Sequence, residues 1–481
     1  MNLLELLLSV NVVSILTLLV IREIRLLKII SLIGAFLQLF VSSLLLINFE
    51  KNAIYPQFDV FYGINSNFNL VYHLAVDGLS LFFILLSVFL LPICLLCSWT
   101  TVKWRVKEFH IWFHIITLML INVFAVQDIL FFYIFFESVL IPMFLIIGIW
   151  GSRDRKIHAA YQFFLYTLAG SVLMLLAILY CLSLIGSTHI DNLYLENFDL
   201  LEGRLIWLAF FLSFAVKVPM MPFHIWLPEA HVEAPTAGSV LLAGILLKMG
   251  TYGLLRFSLP MFPEASIYFQ PLVFVMSLVG IIYASCTTIR QIDLKKIIAY
   301  SSVGHMNYVT IGIMSNNLYG VEGSIFMMLG HGFVSSALFL CVGLLYERYH
   351  TRIISYYGGL IFGMPIFGIL FLFFTLGNVS LPGTSNFIGE FLILAGCFEV
   401  HFISCFIATV GIILGAVYAI WLYNRVMFGS VKNNFIMEYS DLNKKELLLF
   451  FILVFFVLLL GIYPSFITDY LHPISIYVLL D

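Results

Sequence analysis

The sequence predicts an all-α integral membrane protein of about fourteen transmembrane helices, two of them broken. Three observations carry this reading. Of 481 residues, 62% are hydrophobic and only 10% charged, against roughly 25% charged in soluble domains. The apolar residues fall into fourteen runs near the ~20 residues that a helix needs to cross the hydrocarbon core. The basic residues alternate. Eighteen of the 23 Lys and Arg lie in connections after odd-numbered runs, three (Lys51, Arg204, Arg256) in connections after even-numbered runs, and two inside runs. A wrong span count would scramble that alternation. The positive-inside rule then puts the lysine- and arginine-rich connections on the matrix or cytoplasmic face and both termini outside.

In order, the spans are 3–21, 26–47, 78–98, 109–125, 129–148, 162–185, 204–225, 236–257, 268–289, 297–314, 321–346, 360–396, 402–424 and 446–468. The first lacks a basic leader and a small-residue cleavage site, so it reads as a retained helix. Residues 48–76 read as the longest polar loop. Cys94 and Cys97 sit in the apolar run LPICLLC with no second pair at zinc spacing, so they read as packing residues. Pro219 and Pro222 interrupt the seventh span, and LPGTSN at 381–386 interrupts the twelfth. Proline removes a backbone donor and clashes with the preceding turn. Broken helix at membrane depth is tolerated only inside protein or along a watery cavity.

Spans 4–8 and 9–13 are predicted to form two five-helix units. An odd number of helices inverts the second unit relative to the first, and the broken helix is the fourth in each. Paired interruptions at matching positions point to a transport site. The chain then divides into helices 1–3 (1–108), a first unit (109–257), a second unit (268–428) and a C-terminal helix (429–481).

Ionisable residues inside spans carry the functional signal. Glu137 lies in FFYIFFESVLIPM, Lys217 at the seventh-span break, and Lys248 in the middle of the eighth span. His305 lies in SSVGHMNY, His331 in MLGHGF and Glu390 in SNFIGEFLIL. A charge at the bilayer centre costs about 2.5–3.5 kcal/mol on insertion scales. A lone histidine can simply satisfy backbone in a core. Four mid-membrane charges, two of each sign, are hard to justify by packing. His224, with Asp128, Arg153, Asp154 and Glu229 near span ends, is a weaker candidate for a proton route.

A lysine–glutamate series suits protons. Burial weakens a lysine's hold on its proton, and a nearby carboxylate strengthens it again. A bound metal cation would call instead for clustered carboxylates, because a charged lysine offers no lone pair. The sequence holds no Walker motif, no G-x-G-x-x-G, no haem or iron–sulfur spacing and no basic patch for nucleic acid.

The stretches VKVPMMPFHIWLPEAHVEAPTAGSVLLAGILLKMGTYGLLRF (216–257), FFESVLIPMFLIIGIWG (135–151), AYSSVGHMNYV (299–309) and LPGTSNFIGEFLIL (381–394) resemble the antiporter-like membrane subunits of respiratory NADH:ubiquinone oxidoreductase, complex I. The 216–257 block and Glu390 point to the chain-4 branch. The likeness runs from about 75 to 430, with the two ends matching only in hydropathy.

The resemblance implies a fourteen-helix subunit with inverted five-helix repeats, serving one proton route driven by redox chemistry elsewhere. It implies that Glu137 and Lys217 are the pair that loads the channel, Lys248 the central lysine and Glu390 the terminal residue. His305 and His331 would relay between the last two. NADH, flavin, iron–sulfur clusters and ubiquinone are expected in partner subunits, with no cofactor or metal in this chain. The chain alone is not expected to catalyse the redox reaction. Its partners would be other membrane subunits, including neighbouring antiporter-like chains, and the lipid bilayer. The Phe/Ile/Tyr-rich composition and the missing targeting segment suit the mitochondrial inner membrane, with a bacterial plasma membrane as the alternative. The competing readings are a stand-alone or multisubunit cation/proton antiporter, and a scaffold whose charges only hold helices together.

The charge alternation makes a direct prediction. Single engineered cysteines in 99–108, 149–158 and 426–445 should be labelled from the matrix or cytoplasmic side only. Labelling from the outer side would overturn the span count.

Overall fold

The computed structural model describes residues 2–65, 70–196, 198–432 and 439–480. Part of the 426–445 connection, residues 433–438, therefore lies outside the described residues. Helix α1 (Leu3–Val20) starts under a capping box from Asn2 and Glu5, and α2 (Ile24–Asn48) runs back along it. The segment expected to be a polar loop instead contains an antiparallel hairpin, β1 (Gln57–Asn65) and β2 (Leu70–Val76). Its cause is local. QFDVFYGIN and LVYHLAV are rich in the aromatic and β-branched residues that suit a half-buried pleat, and Val60 and Leu74 turn inward.

Asp77 caps α3 (Gly78–Cys97), and α4 (Val106–Ala125) follows. The fifth span is divided into α5 (Ile129–Ser138), capped by Asp128, and α6 (Leu140–Trp150). Helix α7 (Lys156–Ile185) and the short α8 (Ile190–Tyr194) lead to α9 (Leu200–Lys217). The seventh span breaks over 218–225 and resumes as α10 (Trp226–Glu233).

The eighth span, Thr236–Met261, is not a plain α-helix as the sequence suggested. It is built of α11 (Thr236–Leu241), α12 (Leu247–Gly253) and α13 (Leu259–Met261), joined by π-helical stretches at Leu242–Leu246 and Leu254–Ser258. Then come α14 (Pro263–Arg290), α15 (Leu294–Met314) and the 32-residue α16 (Leu318–Tyr349). The twelfth span is α17 (Pro365–Asn378) and α18 (Ser385–Val400) with 379–384 between them. Helices α19 (Phe402–Met427) and α20 (Lys444–Ile462) complete the fourteen spans. A further helix, α21 (Ser465–Leu480), was not expected from the sequence. It packs on α3 and α16.

Each of the fourteen runs coincides with a helix or a broken pair. Eleven helices among the described residues are long and apolar enough to cross a membrane. The seventh, tenth and twelfth spans are not among them: α9 carries Glu202, Arg204 and Lys217, the tenth is rich in polar residues, and the twelfth is split into two short helices. These three carry Lys217, His305 and Glu390.

The axis of the molecule is the eighth span against α16, and both are wholly buried over their apolar windows. Small residues let backbones close on one another there. A Cβ at Gly332 of α16 would stand 3.2 Å from Gly244 O, and one at Gly343 would collide with Thr236. Helices α1, α2, α7 and α20 lie at the periphery and present leucine, isoleucine and phenylalanine outward.

Three basic residues assigned to connections are in fact buried. Arg256 lies in the second π-helical stretch and donates to the Asp77 carboxylate and to Gln127 Oε1. Lys295 donates to Ala234 O (2.8 Å) and Ser239 Oγ (3.3 Å). Arg352 donates to Val232 O and Ser152 Oγ. Each meets a carboxylate or a free carbonyl inside the protein, which position relative to a span end does not reveal.

Breaking one partner of a buried pair leaves an uncompensated charge. Arg256→Leu should therefore lower stability by about 3–5 kcal/mol, with Arg256→Leu/Asp77→Leu recovering part of the loss. The thermal midpoint and assembled content of the purified complex measure both.

Candidate functional site

The sequence candidates meet at helix irregularities. Helix α9 stops at Lys217 because Pro219 and Pro222 cannot continue its hydrogen-bond ladder. The carbonyl this frees at Val216 accepts from Trp226 Nε1 (2.9 Å), and Met220 N reaches back to Ala215 O (3.0 Å). Lys217 is thus the last residue of a helix, where the dipole favours a cation.

Its Nζ donates to Phe136 O (2.7 Å), at the turn between α5 and α6, and lies over the Phe136 ring. Glu137 Oε1 stands 3.5 Å away. That is longer than the 2.7–2.9 Å of a tight charge-assisted bond. The Glu137 oxygens have no hydrogen-bond partner, and the side chains of Lys217 and Glu137 are 4% and 14% exposed. The ion pair is formed but loosely held.

Lys248 occupies α12 between the two π-helical stretches. Its Nζ donates to Ala243 O, in the first stretch, and lies 2.9 Å from His331 Nδ1 of α16. Among the described residues no carboxylate pairs with it. The other His331 nitrogen meets Ser302 Oγ of α15 (3.1 Å). One turn further along α15 stands His305, its ring 5.6 Å from that of His331. His305 Nδ1 meets Glu390 Oε1 of α18 (3.0 Å), and Nε2 meets Asn378 Oδ1 at the end of α17 (3.1 Å).

A cavity of about 20 Å³ opens beside this end, lined by His305, Glu390, Asn378, Tyr418, Tyr308 and Ser301. That is room for about one water.

The structure therefore brings the candidates into two groups: Glu137 with Lys217, and Lys248 with His331, His305 and Glu390. The groups adjoin, since a Cβ at Gly250 of α12 would stand 3.2 Å from Lys217 Cβ. No hydrogen bond joins the two lysines. His224 lies in the 218–225 break against Tyr283 and Tyr300, with Nδ1 unpartnered, and joins neither group. Asp128 caps α5 through Leu130 N and Phe131 N. Glu229 pairs with Lys296 at 2.8 Å.

Sequence reasoning missed Ser302, Asn378 and Tyr418. Ser302 could have been found as the residue one turn before His305. Asn378 could have been found as a polar residue within one turn ahead of LPGTSN. Nothing in its own span marked Tyr418. Among the described residues no cluster of three or more His, Cys, Asp or Glu stands ready to hold a metal ion.

Comparison with known proteins points the same way. The family described as "NADH:quinone oxidoreductase/Mrp antiporter, TM" matches residues 126–416. The NADH-ubiquinone oxidoreductase chain 4 of Marchantia polymorpha is 60% identical over 84% of this chain and 82% of its own length. That of Chondrus crispus is 56% identical over 92% and 90%. The NADH-quinone oxidoreductase subunit M of Rhodobacter capsulatus is 52% identical over 84% and 81%. A chain in the structure "Respiratory complex I from Thermus thermophilus with bound NADH" superposes with a TM-score of 0.91 at 27% identity, over 99% of both chains. With its broken seventh and twelfth spans and its buried lysines, the chain belongs to the NADH:quinone oxidoreductase/Mrp antiporter membrane family, among the chain-4 subunits of complex I.

Proposed function

We propose that the chain is the chain-4 antiporter-like subunit of complex I and carries protons through the two buried groups, driven by electron transfer from NADH to quinone in other chains. The observation that carries this is the file Lys248–His331–Ser302–His305–Glu390, each polar step within about hydrogen-bond reach of the next or one helical turn away. Such a file can hold a proton at any member. A scaffold would need only pairs.

Glu137 and Lys217 act as the switch that loads it. At an effective dielectric near 20, a unit pair at about 4 Å is worth roughly 4 kcal/mol and at about 8 Å roughly half that. The difference, about 2 kcal/mol, is close to the ~2.3 kcal/mol needed to move one charge against 100 mV. Opening the loose 3.5 Å pair therefore changes the lysine's hold on its proton by an amount matched to the electrical step. The net work comes from outside the chain. Spans 4–8 and 9–13 are read as the two inverted units, with one lysine-centred group drawing on each break.

NADH, flavin, iron–sulfur clusters and ubiquinone belong in this reading to partner subunits, and the neighbours in the membrane include other antiporter-like chains. The setting is the mitochondrial inner membrane. The match to a Rhodobacter subunit makes a bacterial plasma membrane the second setting. A cation/proton antiporter is the second functional reading, because the matched family spans both kinds of protein.

Proton uptake into sealed vesicles, with NADH oxidation and assembled-complex content in parallel, tests the proposal. Lys217→Ala and Glu137→Ala should lower coupled uptake by about tenfold or more at normal assembly, the rate equivalent of about 1.4 kcal/mol or more. Lys217→Arg should also impair it, since a guanidinium does not release its proton. Glu137→Asp should be milder. Full uptake by Lys217→Ala would hand the lysine to the scaffold reading. A requirement for sodium would favour the antiporter.

His331→Gln and His305→Gln keep hydrogen bonding but cannot carry the proton as imidazolium. Both should assemble normally and pump poorly. Normal pumping by both would remove the histidine relay.

A further inference from the structure

On the face predicted to lie outside, a row of ionisable groups closes over the start of the fifth span, and the proton file does not use it. Asp59 of β1 meets His73 of β2, Oδ1 to Nε2, at 3.1 Å. His73 Nδ1 faces His189 Nε2 at 2.9 Å, with the rings stacked at 5.2 Å and 9°. His189 Nδ1 stands 3.5 Å from Asp191 Oδ2 of α8. Phe61 stacks on His73 at 4.0 Å. The side chains of His73 and His189 are 8% and 23% exposed.

The two histidines belong to two straps that grip the lead into α5. Gln127 N donates to His73 O (3.0 Å), Ile190 N to Gln127 O (3.1 Å) and Ile129 N to Thr188 O (3.0 Å). Asp128, the α5 cap, faces the same cluster, its carboxylate taken by Leu130 N, Phe131 N and Thr188 Oγ1. The imidazole pair is the side-chain link between the straps.

We propose that this row is a proton-binding clasp at the outer end of α5, closed with two or three protons on its four ring nitrogens and opened by a fourth. With both imidazoles neutral, one proton lies towards Asp59 and one is shared between the rings. A third proton settles on His189 Nδ1, towards Asp191, and leaves the shared bond intact. A fourth proton puts N–H groups on both facing nitrogens 2.9 Å apart. The shared bond is lost, two cations face each other, and the straps separate.

Burial lowers the His73 proton affinity below the ordinary histidine range, while Asp59 pulls the other way and His189 adds to the lowering. Below about pH 6.5 the open clasp takes the fourth proton at His73 and the closed one does not, so the closed form binds fewer protons there. It is favoured above about pH 6.5 and loses ground as pH falls below that value. Helix α5 carries Glu137 near its other end. Resting on the proton-route reading, acid on the outer side, which pumping itself produces, loosens the helix that positions the Glu137–Lys217 pair.

Hydrogen–deuterium exchange on the purified complex tests the clasp. Amide exchange at 127–131, corrected for intrinsic pH dependence, should speed severalfold between about pH 7.5 and about pH 5.5. His189→Asn should flatten this profile while leaving α16 unchanged. Asp191→Asn, at an exposed side chain (74%), removes a charge that favours the protonated rings and should move the transition to lower pH. A flat wild-type profile, an unchanged profile in His189→Asn or an unmoved transition in Asp191→Asn overturns the clasp. Exchange is read without pumping, so failure of the clasp and failure of the proton route show in different measurements.

Discussion

Backbone carbonyls released by irregular helix hold the cations of this molecule. In hydrocarbon every polar backbone group must find a partner inside the protein. At several departures from α-helix a basic side chain answers a freed carbonyl. Lys217 takes Phe136 O where α5 gives way to α6. Lys248 takes Ala243 O in a π-helical stretch. Arg352 takes Val232 O, and Lys295 takes Ala234 O, at the end of α10. The intervening Glu233 O accepts from Ser152 N. A charge and a broken ladder would each be costly alone in the membrane; together they satisfy each other.

The same constraint leaves Lys217 and Lys248 more loosely answered than Arg256. Arg256 also has a full carboxylate partner, and its charge is fixed. Lys217 has a carboxylate at 3.5 Å that bonds nothing else, and Lys248 has only a carbonyl and an imidazole. A loosely answered cation is the kind that can give up its proton.

Much of this was legible in the sequence, for physical reasons. Apolar runs of membrane length and the placement of arginine and lysine located all fourteen spans. Proline located both breaks. Charge in an apolar run singled out Glu137, Lys217, Lys248 and Glu390. What was not legible depends on register and on three-dimensional neighbours. The π-helical stretches in 236–261 use leucine, glycine and arginine that serve equally in an α-helix. The burial of Arg256 depends on Asp77 and Gln127, far away in sequence. Asn378 and Ser302 are ordinary polar residues until His305 is placed between them and its partners. The hairpin at 57–76 was obscured by asparagines and glycine in a stretch whose alternation is imperfect. The histidine row depends on that hairpin, and so remained out of reach as well.

Helix α16 is 32 residues long, about 48 Å at 1.5 Å per residue, well beyond a hydrocarbon core of about 30 Å. It has no proline and carries His331 near its middle. Near one end Glu322 is bound by His472 (2.8 Å) and Ser475 (3.2 Å) of α21. Near the other, Arg348 is bound to Glu446 of α20 (2.6 Å). The last two helices therefore act as a brace on a rigid strut. The chain's last two helices thus fasten both ends of the one element whose middle sets His331 beside Lys248, so a truncation after α19 would unpin that contact from either side.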